Sequence, residues 1–219
     1  MDLYHVLNRG VDKRTIFNND ADHARFVHDL YEFNDEKPAP DAYRRRTWDF
    51  VSPTSDTRKK LVDIHGWSLL KNHYHLLLSE RNEGGITKFI RKVNIGYAKY
   101  YNEIHGRVGT LFQGRTKKVL IERDPHFLYI LHYIHLNPLD LLKGHADWRG
   151  GRIPNSRKAF EYLQTYRWSS FQDYCGKKNF PSILTTNFFD TSYSKGVAKS
   201  TMSYMHDLEW DSISGIALE

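Results

Sequence analysis

With 219 residues, 40% of them hydrophobic and 14% aromatic, the chain is long enough to bury a full core, which argues against wholesale disorder. Thirty-two Lys and Arg against 26 Asp and Glu leave a net charge of +6, which favours an anionic partner such as nucleic acid. A single cysteine, Cys175, excludes an internal disulfide framework. No run approaches a membrane span or a signal core, so a soluble, cytoplasmic chain is expected.

The stretch "LYHVLNRG" (Leu3 to Gly10) reads as a short strand closed by glycine. The next, "NDADHARFVHDLYEFN", reads as a helix capped by Asn19 or Asp20, with Ala24, Val27, Leu30 and Tyr31 on its apolar face. Residues 35–60 are polar, proline-containing and rich in Arg and Lys, and are read as a long loop or insertion. "LVDIHGWSLL" and "HYHLLLS", with "KN" between them, suit an antiparallel hairpin. From about Gly85 to His105, the residues Ile86, Phe89, Ile90, Val93, Tyr97, Tyr100 and Ile104 recur at helical spacing, with Lys88, Arg91, Lys92 and Lys99 largely off that stripe.

A glycine-punctuated basic loop then leads to a strand over Lys117 to Ile121. "DPHFLYILHYIHLNP" is read as a short helix with Asp124 as N-cap, Pro125 at its first position and Pro138 ending it. The order strand, helix, hairpin, helix, strand, helix predicts an α+β fold, an antiparallel sheet with packed helices.

Chemistry-bearing residues fall in two places. On a strand, His73 and His75 of "KNHYHLLLSE" project to the same side, roughly 6.5–7 Å apart along the chain, and two imidazoles so placed can tilt toward one ion. A His-x-His pair alone is a weak signal, equally at home as packing or surface residues. With oxygen donors added it suits Mg²⁺ or Mn²⁺ acting on phosphates, and with imidazoles alone zinc competes. In the helix before Pro138 the buried stripe is Phe127, Ile130, Leu131 and Ile134. Tyr133 and Asn137 fall one turn apart on its flank, where a side chain can reach a cleft. The plain alternative is a packing tyrosine followed by a capping asparagine. A phenol is a poor nucleophile at neutral pH unless a neighbouring cation stabilises phenolate; with one, it can attack a phosphodiester and store the bond as phosphotyrosine.

His73-Tyr74-His75 resembles the HUH motif of single-strand DNA endonucleases. The ordered pieces "YHVLNRG", "LLKNHYHLLL", "GYAKYYNEIHGRVGTLFQGRTKK", "HYIHLNPL" and "YRWSSFQDYCG" are similar to the single-tyrosine transposases, nearest to the REP-associated branch. The resemblance covers residues 3–34, 61–145 and 166–176. It implies a ferredoxin-like catalytic domain over residues 1–145 with the basic insertion at about 35–60, and a C-terminal extension over 146–219 carrying the Trp-Ser-Ser motif. It implies Tyr133 as nucleophile, giving a 5′-phosphotyrosine and a free 3′-hydroxyl, and His73, His75 and Asn137 as ligands of Mg²⁺ or Mn²⁺. Single-stranded or hairpin DNA is the implied partner and the nucleoid the implied setting; monomer and dimer both stay open. The segment after Trp148 is longer than the family's usual link, and the tail after Phe180 matches no motif of it.

Single-stranded DNA requires a cationic track with flat faces for unstacked bases. Arg107, Phe112, Gln113, Arg115, Lys117 and Lys118 supply one next to the strand that precedes Tyr133, and Arg9 and Arg91 join them. Arg44, Arg45, Arg46, Arg58, Lys59 and Lys60 around Trp48 and Phe50 supply a second. Solvated surface is the competing reading for both. Trp168 is expected in the core. Two other functions remain open on sequence: a DNA-binding protein without catalysis, and a metallonuclease that activates water.

Overall fold

The computed structural model describes residues 2–38, 56–121, 124–186 and 196–206, and for 124–128, 197, 198 and 206 the backbone alone. Arg44, Arg45, Arg46, Trp48 and Phe50 of the basic insertion therefore lie outside the described residues, as do the side chains of Asp124 and Phe127.

The chain runs β1 (Leu3–Arg9), α1 (Asp20–Glu32), β2 (Val62–Leu70), β3 (His73–Glu80), α2 (Gly85–Ile104), β4 (Lys117–Ile121) and α3 (Asp124–Leu136). After these come α4 (Ser156–Thr165), α5 (Phe171–Tyr174) and α6 (Val197–His206). The strands form one sheet in the order β2-β3-β1-β4, antiparallel throughout. The β1-α1-β2 unit leaves a gap that β3 fills, and β3-α2-β4 leaves one that β1 fills. Two interleaved split βαβ units are the ferredoxin-like α+β fold expected from the sequence.

Alternation along the strands sorts side chains to two faces. One face, with Val6, Tyr74, Leu76 and Leu78, packs on α1 and α2 through Phe26, Leu30, Phe89, Val93 and Tyr97. The other, with Leu3, Leu77 and Ile121, packs on α3 and on the later segments through Ile130, Leu131, Ile134, Trp148, Phe171 and Tyr204. Asn19 caps α1, its side chain accepting from the Asp22 amide. The buried side of α1 is centred on Phe26, Val27 and Leu30, while Ala24 and Tyr31 are only half-buried. Tyr31 lies at the edge because its ring carries the Arg58 guanidinium, 3.5 Å from the centroid. The α2 stripe ends on buried Tyr101; Tyr100 is half-buried, and Ile104, the last residue of the helix, is exposed.

The turn after β1 is anchored to the hairpin turn between β2 and β3. The Gly10 amide donates to the Asn72 carbonyl at 2.8 Å, and the Ile16 amide to the Lys71 carbonyl at 2.8 Å. Asp12 and Lys13 both hold φ of 56°, a left-handed conformation that costs non-glycine residues about 1 kcal/mol or more each. At Gly10 a Cβ would stand 2.5 Å from the Arg14 carbonyl oxygen and 2.7 Å from Ile16 Cγ2. Gly10→Ala is expected to cost about 1–3 kcal/mol by forcing this turn off the hairpin. Urea denaturation measures it; a loss below about 0.5 kcal/mol would mean the turn yields freely.

The "YRWSSF" segment protects the β2 edge. The Leu69 amide donates to the Trp168 carbonyl and the Ser170 amide to the Trp67 carbonyl. Trp168 is buried as expected, its Nε1 donating to Asp20 Oδ1. Ser170 Oγ accepts from the Trp67 amide at 2.9 Å and lies 2.8 Å from His135 Nε2, which ties α3 to the covered edge.

Candidate active site

His73 and His75 project from β3 on the α3 side of the sheet, directly paired with Arg9 and Leu7 of β1. Their ring centroids are 4.9 Å apart. Each imidazole has its Nδ1 engaged. Asn72 Nδ2 donates to the Lys13 carbonyl, so Asn72 Oδ1 is the atom facing His73 Nδ1, at 2.6 Å. A carboxamide oxygen only accepts, so this contact requires a proton on His73 Nδ1. His75 Nδ1 lies 2.9 Å from Nε2 of His5, a buried β1 histidine on the same face whose ring stacks on it at 5.2 Å.

Tyr133 reaches this cluster from α3. Its ring meets His75 edge-on at 5.9 Å and His5 edge-on at 5.8 Å. The helix is buried on all sides from Ile130 onward, so the expected cleft-facing flank is not present: Tyr133 is 1% exposed and Asn137 fully buried. The cover is a 3₁₀ turn, Ala146–Gly150. Its Trp148 ring stands 5.7 Å from that of Tyr133, and the Arg149 guanidinium 5.9 Å from the Tyr133 centroid. Asp140 fastens this cover, accepting from Trp148 Nε1 and Arg149 Nη1 at 2.6 Å each.

Asn137 is not free to turn toward an ion, as its position before Pro138 suggested. Its Nδ2 donates back to the Tyr133 carbonyl at 2.9 Å, and its Oδ1 accepts from Arg149 Nη2 at 2.5 Å. The donor types, two imidazoles and a carboxamide oxygen, fit a divalent cation. The carboxamide oxygen is taken by a guanidinium. Among the described residues no three His, Cys, Asp or Glu side chains form a metal-holding group, so the set depends on Asn137 or on oxygens of a substrate.

The sequence-predicted cationic residues divide among three places. Arg9, Gln113, Arg115 and Lys117 line one cleft of about 410 Å³, with Lys13 and Asn8. Lys117 pairs with Leu7, which pairs with His75, so this cleft borders the histidine face. Arg91 and Lys118 line a second cleft of about 450 Å³ between α2 and β4, to which Arg115 also contributes. Lys118 is there paired with Glu80 at 3.3 Å. Arg107 donates to Asn102 Oδ1, and Phe112 packs on the first core near Tyr74, so neither lines these clefts.

Sequence reasoning missed His5, Asn72, Lys13 and Arg149. His5 had a signal: a polar residue at the period-two position between Leu3 and Leu7, which are buried on the same face. Arg149 had none, because its role is set by where the 3₁₀ turn packs.

The back of α3 is held by α6. His132 Nδ1 lies 2.9 Å from Thr201 Oγ1 and its Nε2 3.0 Å from Ser200 Oγ. Burial pushes His132 from its ordinary 6.5 down to about 4. A depressed imidazole contributes stability that is present above pH 6.5 and lost as pH falls toward 4. On the order of 3 kcal/mol should disappear across that window. His132→Gln is expected to flatten this acid limb in thermal melts, and an unchanged slope would show that His132 titrates normally.

No family model matches the chain, and no curated protein sequence matches it. Among solved structures the chain is similar to a REP-associated tyrosine transposase bound to a REP hairpin, with 12% identity and a TM-score of 0.51. The match covers 84% of this chain and 85% of the other. At that identity the likeness establishes a shared fold: a four-stranded antiparallel sheet with packed helices, arranged as in a hairpin-bound transposase.

Proposed function

We propose that this protein is a metal-dependent single-strand DNA transesterase that cleaves and rejoins hairpin or palindromic DNA through Tyr133. The observation that carries the reading is the approach of the Tyr133 ring to within 5.9 Å of His75, beside His73, on a sheet face that a basic cleft borders. The shared fold with a transposase bound to a DNA hairpin supports it.

In this reading His73, His75 and Asn137 would hold Mg²⁺ or Mn²⁺, which supplies polarisation of the scissile phosphate when bound. Arg9, Lys13, Arg115 and Lys117 neutralise flanking phosphates and set the strand's register. The Tyr133 oxygen attacks phosphorus, the phenol loses its proton, and the 3′-oxygen leaves as a hydroxyl. One phosphodiester is exchanged for another, so the reverse reaction rejoins the strand. Because Tyr133 is buried beneath Trp148 and Arg149, the Ala146–Gly150 turn must move before a phosphate reaches it.

Removal of Lys117 or Arg115 by alanine is expected to weaken single-strand binding regardless of sequence and to lower the salt slope by about one each. Titrations at several salt concentrations measure this, and an unaltered slope would place the DNA elsewhere. The reading as a whole is tested by incubating the protein with Mn²⁺ and labelled hairpin oligonucleotides and looking for a denaturation-resistant adduct. Cleavage without an adduct would favour a metallonuclease. Binding without cleavage would favour a catalytically idle DNA-binding protein, a reading that the guanidinium on Asn137 also accommodates.

A further inference from the structure

Cations hold a DNA strand whatever its sequence, because its phosphates are all alike. Sequence is read by groups that meet the donors and acceptors of a base edge. The cleft of about 410 Å³ beside the histidine face is cationic at Arg9, Lys13, Arg115 and Lys117, and it also contains two carboxamides, Asn8 and Gln113. Asn8 is engaged within the fold: its Oδ1 accepts from the Arg9 amide at 2.8 Å, and its Nδ2 donates to Thr116 Oγ1 at 3.1 Å. The Gln113 side chain is exposed, and none of the described residues bonds its carboxamide. Its backbone, by contrast, is fixed. The Gln113 amide donates to the Arg9 carbonyl at 2.7 Å, the Val11 amide donates to the Leu111 carbonyl at 2.9 Å, and Gly10 forms a bridge with Phe112. The chain then turns at Gly114, left-handed with φ of 60°, and Arg115 lines the same cleft. A neutral amide on an anchored backbone therefore stands among four cations.

We infer that Gln113 is a specificity-determining residue that reads one unpaired adenine of the bound strand, its Oε1 accepting from adenine N6 and its Nε2 donating to N7. This rests on the DNA partner in the function proposed above. Adenine presents a donor and an acceptor side by side on that edge, the pattern complementary to a carboxamide. Guanine presents two acceptors there, thymine an acceptor beside a methyl group, and cytosine a donor alone, so none of them satisfies both ends of the amide. In an unpaired strand the edge is open to a side chain, while the neighbouring cations bind the phosphates on either side.

The test measures binding alone, in EDTA so that no strand is cut. The probe is a fluorescent DNA hairpin with short oligothymidine flanks, together with copies that place adenine at each flank position in turn. The unmodified chain should bind the copy with adenine at one position about tenfold more tightly than the oligothymidine probe. There 7-deazaadenine, which lacks the N7 acceptor, should lose most of that gain. Gln113→Met keeps the side chain's length and removes the amide. It should abolish the preference while leaving oligothymidine affinity and its salt slope unchanged, since no charge is removed. The unchanged slope separates base reading from the phosphate contacts of Arg115 and Lys117. Equal binding of every copy by the unmodified chain, or an adenine preference that survives in Gln113→Met, overturns the inference. An adduct that forms on Tyr133 while every copy binds equally sinks this inference and not the proposed function. The converse result, a Gln113-dependent adenine preference with no adduct in Mn²⁺, sinks the transesterase reading and leaves this one standing.

Discussion

Tyr133→Phe is expected to abolish the covalent protein–DNA adduct, reducing strand cleavage by at least about a thousandfold. The substitution removes one oxygen and keeps the ring that packs against His5, His75 and Trp148, so the fold and DNA affinity should be retained. No other group replaces a nucleophile that becomes covalently bonded, which is why the expected loss is so large. The readout is a denaturing gel of labelled single-stranded hairpin DNA with Mn²⁺, alongside a binding titration. An adduct that persists in Tyr133→Phe would assign the nucleophile to another residue. Cleavage that persists without an adduct would assign the attack to water.

The second large effect concerns Asn137, the proposed third ligand. Arg149 bonds the Asn137 carboxamide oxygen, pairs with Asp140 and lies 4.5 Å from the centre of the Trp148 ring. A cation and a guanidinium cannot share one carboxamide oxygen at close range, since like charges there repel by several kcal/mol even at the effective dielectric of a protein surface. In Arg149→Met the stem still covers Trp148, the oxygen is released, and the Asp140 carboxylate loses its neutralising partner. Mn²⁺ affinity in the absence of DNA should rise about tenfold or more, equivalent to about 1.4 kcal/mol. Thermal stability should fall, because a charge-assisted pair is lost. Adding Asn137→Ala should cancel the gain in affinity. If Arg149→Met binds Mn²⁺ no better, the guanidinium does not hold the carboxamide from the ion.

Much of this was legible along the chain because the signals are local. Strand alternation in "HYHLLL" put His73 and His75 on one face, helical periodicity delimited α2, and Pro125 and Pro138 bracketed α3. The glycine closing β1 marked the turn that grips the hairpin. Where the reading drifted, the reason was packing. Tyr133 was expected beside a cleft because it flanks the apolar stripe of α3, yet the 3₁₀ turn at Ala146–Gly150 closes over that flank. Asn137 was expected to be free because it precedes proline, yet Arg149, twelve residues on, takes its oxygen.

The sequence by itself determined the order of elements as far as α3, the sheet's two-faced pattern and the candidate donor and nucleophile types, since these depend on spacing and residue chemistry. Only the tertiary structure decided that His5 backs His75, that the Trp-Ser-Ser segment seals the β2 edge and ties α3 to it, and that a guanidinium sits on the Asn137 carboxamide. Each of those contacts joins segments brought together by sheet pairing and core packing, and no local period along the chain encodes such a meeting.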